Sequence, residues 1–170
     1  MAILLQELEL LRETTDEAIE WWEELVCYFA PNDEMKKETG NQGEKLSREY
    51  EKERVGSYPH WESKFSSFSG YDLLSTVSYT NQEKLHIEVK SAQHSFVFYL
   101  TRGEWKKAQE TVHYVFHFWH LAMGELYIFT PHDISHHVSV NQGNGEWTVC
   151  EIELSKEEQM TFREKTVKTA

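Results

Sequence analysis

Apolar side chains return at three- and four-residue steps along the first thirty positions, with Ile19, Trp22, Val26 and Phe29 on one stripe. That is the period of one helix face. Thr14 with Glu17 has the form of a capping box at the start of this stripe. Pro31 and Asn32 interrupt it. From Asp33 to Arg54, Glu and Lys or Arg recur three or four apart, which supports a second helix. Gly40 and Gly43 fall near its first turn, where a missing side chain permits close approach to a neighbouring element, and Gly56 closes it.

From His60 onward the period drops to two. Tyr71–Tyr79 and Lys84–Ser91 read as strands joined by a polar turn at Asn81 and Gln82. Ser95–Leu100 reads as a third strand, and Thr101 with Glu104 forms a second capping box opening a helix to about Glu110. His113–Leu121 is a strongly aromatic strand, and Leu126–Phe129 extends it or begins another. Pro131–Asn144 reads as loop, Trp147–Leu154 as the last strand, and Ser155 with Glu158 caps a final helix. Helices before, between and after strands predict an α/β fold, a mixed sheet flanked by helices. The length, 170 residues, fits one domain over 31–170 with 1–30 as an acidic helical appendage.

Composition supports a packed core, since 6 Trp, 8 Tyr and 9 Phe supply large buried areas. The net charge of −12 argues against holding phosphate backbones by simple cationic attraction. That charge is uneven, however. Residues 1–30 hold 8 acids and 1 base, whereas 31–130 hold 14 acids and 12 bases and are nearly neutral. The acidic first helix, with Trp21 and Trp22 adjacent, suggests a docking face for the rest of the domain or for a protein partner. Cys27 and Cys150 are too few for a disulfide framework and fit a reducing, cytoplasmic setting. No apolar run approaches the ~18 residues of a membrane span, so no membrane partner is expected.

The nine histidines raise the question of zinc. On a strand His113 and His117 stand about 13 Å apart, too far to share a tetrahedral ion. His132, His136 and His137 fall in the expected loop without a paired cysteine or an acidic ligand pattern, so solvated or internally satisfied side chains are the expectation.

The strand Leu85-His86-Ile87-Glu88-Val89-Lys90 alternates cleanly, placing Glu88 and Lys90 on one face. Alone this describes any amphipathic strand. Asp72 adds to it. If Tyr79 pairs with Glu83 across a three-residue loop, Asp72 falls opposite Lys90 and diagonal to Glu88, on the same face. Two converging carboxylates call for a cation, and Mg²⁺ favours one or two carboxylates plus waters and a substrate phosphate. Asp72 and Glu88 are then the expected ligands, with the Val89 carbonyl as a third, and Lys90 positions an attacking water for phosphodiester hydrolysis. Ser91, Gln93 and Arg102 are candidate phosphate contacts. Glu104 and Trp105 read as structural, a cap and a packing aromatic.

These residues also resemble a known family. Gly70-Tyr71-Asp72-Leu73-Leu74-Ser75, Ile87-Glu88-Val89-Lys90-Ser91 and Phe98-Tyr99-Leu100-Thr101-Arg102-Gly103-Glu104-Trp105 resemble the NOV-type C-terminal domain of the PD-(D/E)xK, restriction-endonuclease-like nuclease superfamily. Upstream, Gly40-Asn41-Gln42-Gly43-Glu44 resembles the glycine-flanked acidic motif on that family's first core helix. The resemblance covers about Thr39 to Trp119, with Tyr71 standing where the wider superfamily often has proline. It implies a mixed sheet between helices and a Mg²⁺-dependent (or Mn²⁺-dependent) nuclease acting on nucleic acid, DNA ahead of RNA. It also implies frequent association with bacterial restriction or anti-phage systems. Asp72, Glu88 and Lys90 match the catalytic signature, and Glu44 matches the helix carboxylate that reaches the metal. Residues 1–38 and 122–170 match no part of the family pattern, which leaves substrate choice and homodimer formation open. The competing expectation is an inactive nuclease-fold module that recruits a helicase, ATPase or methyltransferase.

Overall fold

A computed structural model describes residues 37–64, 69–141 and 145–164. The N-terminal helix expected over 1–30, with its Thr14 and Glu17 box, lies outside the described residues. Residues 39–170 make one compact unit.

Helix α1 is described over 37–55, and five strands form the main sheet. They are β1 (His60–Trp61), β2 (Leu73–Thr76), β3 (Lys84–Ala92), β5 (Tyr114–His120) and β6 (Glu125–Phe129), in spatial order β1-β2-β3-β5-β6. The pair β3 and β5 is parallel and every other pair is antiparallel, so the sheet is mixed, as expected. The crossover between the two parallel strands consists of β4 (Val97–Thr101) and helix α2 (Arg102–Glu110). Strand β4 leaves the main sheet and pairs with β7 (Val149–Glu153) in a separate antiparallel ribbon. A short helix α3 (Pro131–Ile134), a 3-10 turn (Ser135–His137) and a final helix α4 (Lys156–Phe162) complete the unit.

The period-two pattern sorts the core into two layers. Leu73, Ile87, Val89, Trp119 and Leu126 face α1, where Leu46 and Tyr50 pack on them. Tyr114, Phe116, Phe118 and Phe129 face the other way, onto Phe98, Leu100 and Ile152 of the ribbon and Ala108 of α2. Phe116 and Phe129 stack at 5.5 Å, and both are fully buried. Each such side chain contributes about 1.5–3 kcal/mol by leaving water, and together they fix the ribbon and α2 over one face of the sheet. That face carries Glu88 and Lys90.

Several expectations need correction in detail. Strand β2 is shorter than Tyr71–Tyr79 because the chain turns at Ser78 to Asn81. The Ser78 N–H donates to the Asn81 carbonyl at 3.0 Å, and the Asn81 N–H donates to Ser78 Oγ at 2.9 Å. The hairpin therefore pairs Leu73 with Ile87 and Leu74 with His86, and continuing this register sets Asp72 opposite Glu88 instead of Lys90. A slip of two preserves the face, whereas a slip of one would have reversed it. The segment Pro131–Asn144 is not all loop, since Pro131 takes the first helical position and the Thr130 N–H donates to Asp133 Oδ2 at 2.7 Å. The capping boxes at Thr101 with Glu104 and Ser155 with Glu158 form as expected, and Glu125–Phe129 is a new antiparallel strand and not an extension of β5.

Candidate active site

Asp72 enters the site from the residue before β2. Its N–H donates to the Ile87 carbonyl at 2.9 Å, and its Oδ2 accepts the Val89 N–H at 2.8 Å. The side chain is thereby laid across β3 beside Glu88. Burial is the main influence on the Asp72 carboxyl and pushes it up to about 6, with the Val89 N–H pulling down and the charge of Glu44 pushing further up. Glu88 is buried at 4% exposure, and burial holds its carboxyl well above the ordinary range, Asp72 adding to the effect against the pull of Lys90.

Lys90 Nζ lies 2.7 Å from Glu88 Oε1 and 3.0 Å from Glu104 Oε2. Burial works to discharge the ammonium, but the two carboxylates outweigh it and keep the lysine charged. Glu104 is the N3 residue of α2 and also accepts the Thr101 N–H at 2.8 Å. Burial raises its carboxyl, yet Lys90 and the Thr101 N–H bring it below the usual value. The cap read from sequence is real, and the same side chain is a site residue that sequence reasoning missed. Tyr114 is another: its hydroxyl donates to the Gly70 carbonyl at 2.7 Å, fixing the turn that precedes Asp72.

Asp72, Glu88 and Glu104 open into a cleft of about 830 Å³ that Ser63, Lys106 and Lys107 also line, and Lys90 stands behind Glu88 and Glu104. Lys106 and Lys107 extend from α2 and supply cationic groups at its wall. Gly70, at φ +70°, lies under the Lys107 side chain, where an added Cβ would stand 2.9 Å from Lys107 Cβ.

The remaining expected residues are distributed unevenly. Glu44 of α1 accepts from Trp61 Nε1 and Ser63 Oγ, and it acts on Asp72 through its charge. Ser91 points to the α1 face: its Oγ donates to the Thr39 carbonyl at 2.9 Å, and a Cβ on Gly43 would stand 2.9 Å from it. Gln93 is exposed beyond the end of β3. Arg102 Nη2 donates to Glu146 Oε1 at 2.7 Å, so its charge is engaged away from the lysine and carboxylate cluster. Asp72, Glu88 and Lys90 come together; Ser91, Gln93 and Arg102 do not join them.

The donor set suits a hard divalent cation, because half-buried Asp72 and buried Glu88 line the cleft while one ammonium, Lys90, is shared between Glu88 and Glu104. Among the described residues no three of these carboxylates bring ligand atoms within 4.8 Å of one another. A cation here would be held by Asp72 and Glu88, with a backbone carbonyl such as that of Val89 and waters completing the shell, the manner in which Mg²⁺ commonly binds.

Residues 43–124 match the family model described as Protein NO VEIN, C-terminal. No curated protein and no solved structure matches the chain. Among the described residues no helix is long and apolar enough to cross a membrane. The matched span runs from Gly43, next to Glu44, through β2, β3, β4, α2 and β5 to the turn at Gly124, so it contains the whole cluster of Asp72, Glu88, Lys90 and Glu104. Residues 43–124 of this chain are therefore similar to the NO VEIN C-terminal domain family.

Proposed function

We propose that the cleft hydrolyses phosphodiester bonds of nucleic acid, DNA ahead of RNA, with Mg²⁺ or Mn²⁺ held by Asp72 and Glu88. The observation that carries this reading is the convergence of two carboxylates at one cleft with a lysine paired to one of them: half-buried Asp72 across the strand pair from buried Glu88, and Lys90 Nζ 2.7 Å from Glu88 Oε1. A bound ion would supply charge neutralisation at the phosphoryl oxygen and an acidified water. Asp72 and Glu88 are the residues that would hold such an ion, and their carboxyls, raised without it, would have to be ionised to do so. Lys90, released from one carboxylate, orients the attacking water and offsets charge developing on the phosphate. Lys106 and Lys107 contact the substrate backbone from the cleft wall. The family resemblance extends the proposal to a cytoplasmic nuclease of a restriction or anti-phage system.

One observation favours a second reading. Lys90 is already neutralised by Glu88 and Glu104, an arrangement that is complete without metal and that an inactive interaction module recruiting a helicase, ATPase or methyltransferase would retain. Incubating the chain with plasmid, linear duplex, single-stranded DNA and RNA in Mg²⁺, Mn²⁺ or EDTA separates the two. The nuclease reading expects metal-dependent cleavage that EDTA abolishes and that falls at least about 100-fold, the scale of a lost catalytic group, in Asp72→Ala and Lys90→Ala. Absence of cleavage on every substrate, or equal residual cleavage in wild type and both variants, would favour the module.

A further inference from the structure

A second group of metal-ligating side chains lies outside the cleft. The 3-10 turn Ser135–His137 presents two consecutive imidazoles, their ring centroids 4.1 Å apart. The nearest acid in sequence, Asp133, is engaged in capping α3, where its Oδ2 accepts from the Thr130 N–H and hydroxyl. The fold supplies another from 21 residues away, because α4 brings Glu158 to the turn: His137 Nε2 lies 2.8 Å and His136 Nε2 3.3 Å from the same oxygen, Oε1. All three ligand atoms lie within 4.8 Å of one another, the one group of three so spaced among the described residues.

Ligands bonded tetrahedrally at 2.0–2.2 Å sit about 3.3 Å from each other. The His136 contact is already at that separation, and the His137 contact needs to open by roughly half an ångström to reach it. The carboxylate is held in place independently of the histidines. Its other oxygen, Oε2, accepts the Ser155 N–H at 2.7 Å, which orients Oε1 towards the imidazoles as an outer-shell partner does for a metal ligand. The His136 side chain is 63% exposed and that of Glu158 13%, so one side of the cluster is open for water or a further ligand to complete the shell. Two imidazoles and one carboxylate select zinc, copper, nickel or cobalt ions over Mg²⁺ and Ca²⁺.

We propose that His136, His137 and Glu158 form a binding site for a transition-metal dication of the zinc class, separate from the cleft and clasping the turn after α3 to helix α4. Metal held there ties the end of the described chain to the element following β6, so it stabilises the fold in proportion to its occupancy.

The test is titration of the metal-free full chain with Zn²⁺ alone, against a competing chromophoric chelator at neutral pH, followed by thermal unfolding with and without the ion. Wild type is expected to take up one equivalent and to unfold at higher temperature with it. His137→Ala and Glu158→Gln should each weaken uptake at least 10–100-fold, the cost of disturbing even an outer-shell partner. The glutamine variant retains a capping side chain at N3, so folding and metal binding are read apart. His132→Ala, one turn away, and Asp72→Asn, in the cleft, should leave that equivalent unchanged. No uptake by wild type, equal affinity in His137→Ala and Glu158→Gln, or loss of the same equivalent in His132→Ala or Asp72→Asn would overturn the proposal.

Discussion

Lys90 Nζ stands 3.0 Å from Glu104 Oε2, and that same oxygen accepts the Thr101 N–H at 2.8 Å, so the aim of the lysine and the capping of helix α2 are fixed by one carboxylate. Glu104→Gln separates the two roles. The amide still caps, but the charge that draws Lys90 away from Glu88 is gone. The fold should lose less than about 1 kcal/mol, whereas the proposed cleavage should slow roughly tenfold, equivalent to about 1.4 kcal/mol of barrier, with kcat and not KM carrying the loss. Glu104→Ala should add about 1 kcal/mol of lost cap. Thermal unfolding measured beside cleavage rates checks both. An unchanged rate in the glutamine variant would remove Glu104 as a positioning residue.

Asp72 gives a prediction in which stability and function move in opposite directions. Burial raises its carboxyl to about 6, above the ~3.9 of an unfolded chain, so the folded state binds this proton more tightly. Its contribution is complete below about pH 4 and is lost as pH rises through about 6. At neutral pH the metal-free protein carries a penalty on the order of 3 kcal/mol at most. Asp72→Asn removes the penalty while keeping an oxygen to accept the Val89 N–H. Without metal it should be the more stable protein at pH 7 and show no advantage at pH 4, and Mg²⁺ should stabilise the wild type alone. Urea unfolding at the two pH values measures this, and equal stability at pH 7 would refute it.

Much of this site was legible in the sequence because strand parity is robust. Glu88 and Lys90 share a face by alternation alone, and Asp72 stays on it despite a register error of two, which came from turn chemistry at Ser78 and Asn81 that the hydrophobic pattern does not encode. The same parity aligns Ser91 with Leu85, Ile87 and Val89, against α1 and away from the cleft, so alternation alone separates it from Glu88 and Lys90. Glu104 escaped because its cap is a sufficient explanation until α2 is seen folded over β3. Tyr114 meets Gly70 at a separation of 44 residues, and β4 meets β7 at 52, as Tyr99 with Glu151. Contacts that distant follow from the packing of whole layers, and local periodicity says nothing about them.

Two glycines beside the cleft should answer oppositely to alanine. Gly70 has φ +70°, and its added Cβ would stand 2.9 Å from Lys107 Cβ, so Gly70→Ala combines left-handed strain of about 1–2 kcal/mol with a collision. It should cost more than about 2 kcal/mol and displace the Asp72 turn. At Gly103, in the first turn of α2, the nearest atom to an added Cβ is Thr101 Oγ1 at 4.0 Å, and alanine should be neutral or stabilising by up to about 1 kcal/mol. Thermal unfolding of the two variants side by side makes the comparison, and equal midpoints would contradict it.

On the opposite face of the sheet, His117 predicts acid sensitivity of the fold. It is 1% exposed, with Nδ1 3.2 Å from Ser47 Oγ and Nε2 3.9 Å from Glu51 Oε1. Burial lowers its imidazole to about 4, Glu51 pulling it up and Arg54 pushing it down. The unfolded chain takes the proton near pH 6.5, so the stability due to neutral His117 is present above that value and is lost as pH falls through about 4. The loss amounts to roughly 3 kcal/mol. Asp72 acts in the opposite sense over much of the same window, so wild type should respond weakly to pH between 4 and 6. Removing the opposing carboxyl exposes the histidine: Asp72→Asn should lose stability steeply on acidification, and Asp72→Asn combined with His117→Gln, which keeps a polar group beside Ser47, should lose markedly less. Denaturant unfolding at half-unit steps of pH measures both slopes. If they coincide, protonation of His117 is not what acid does to this fold.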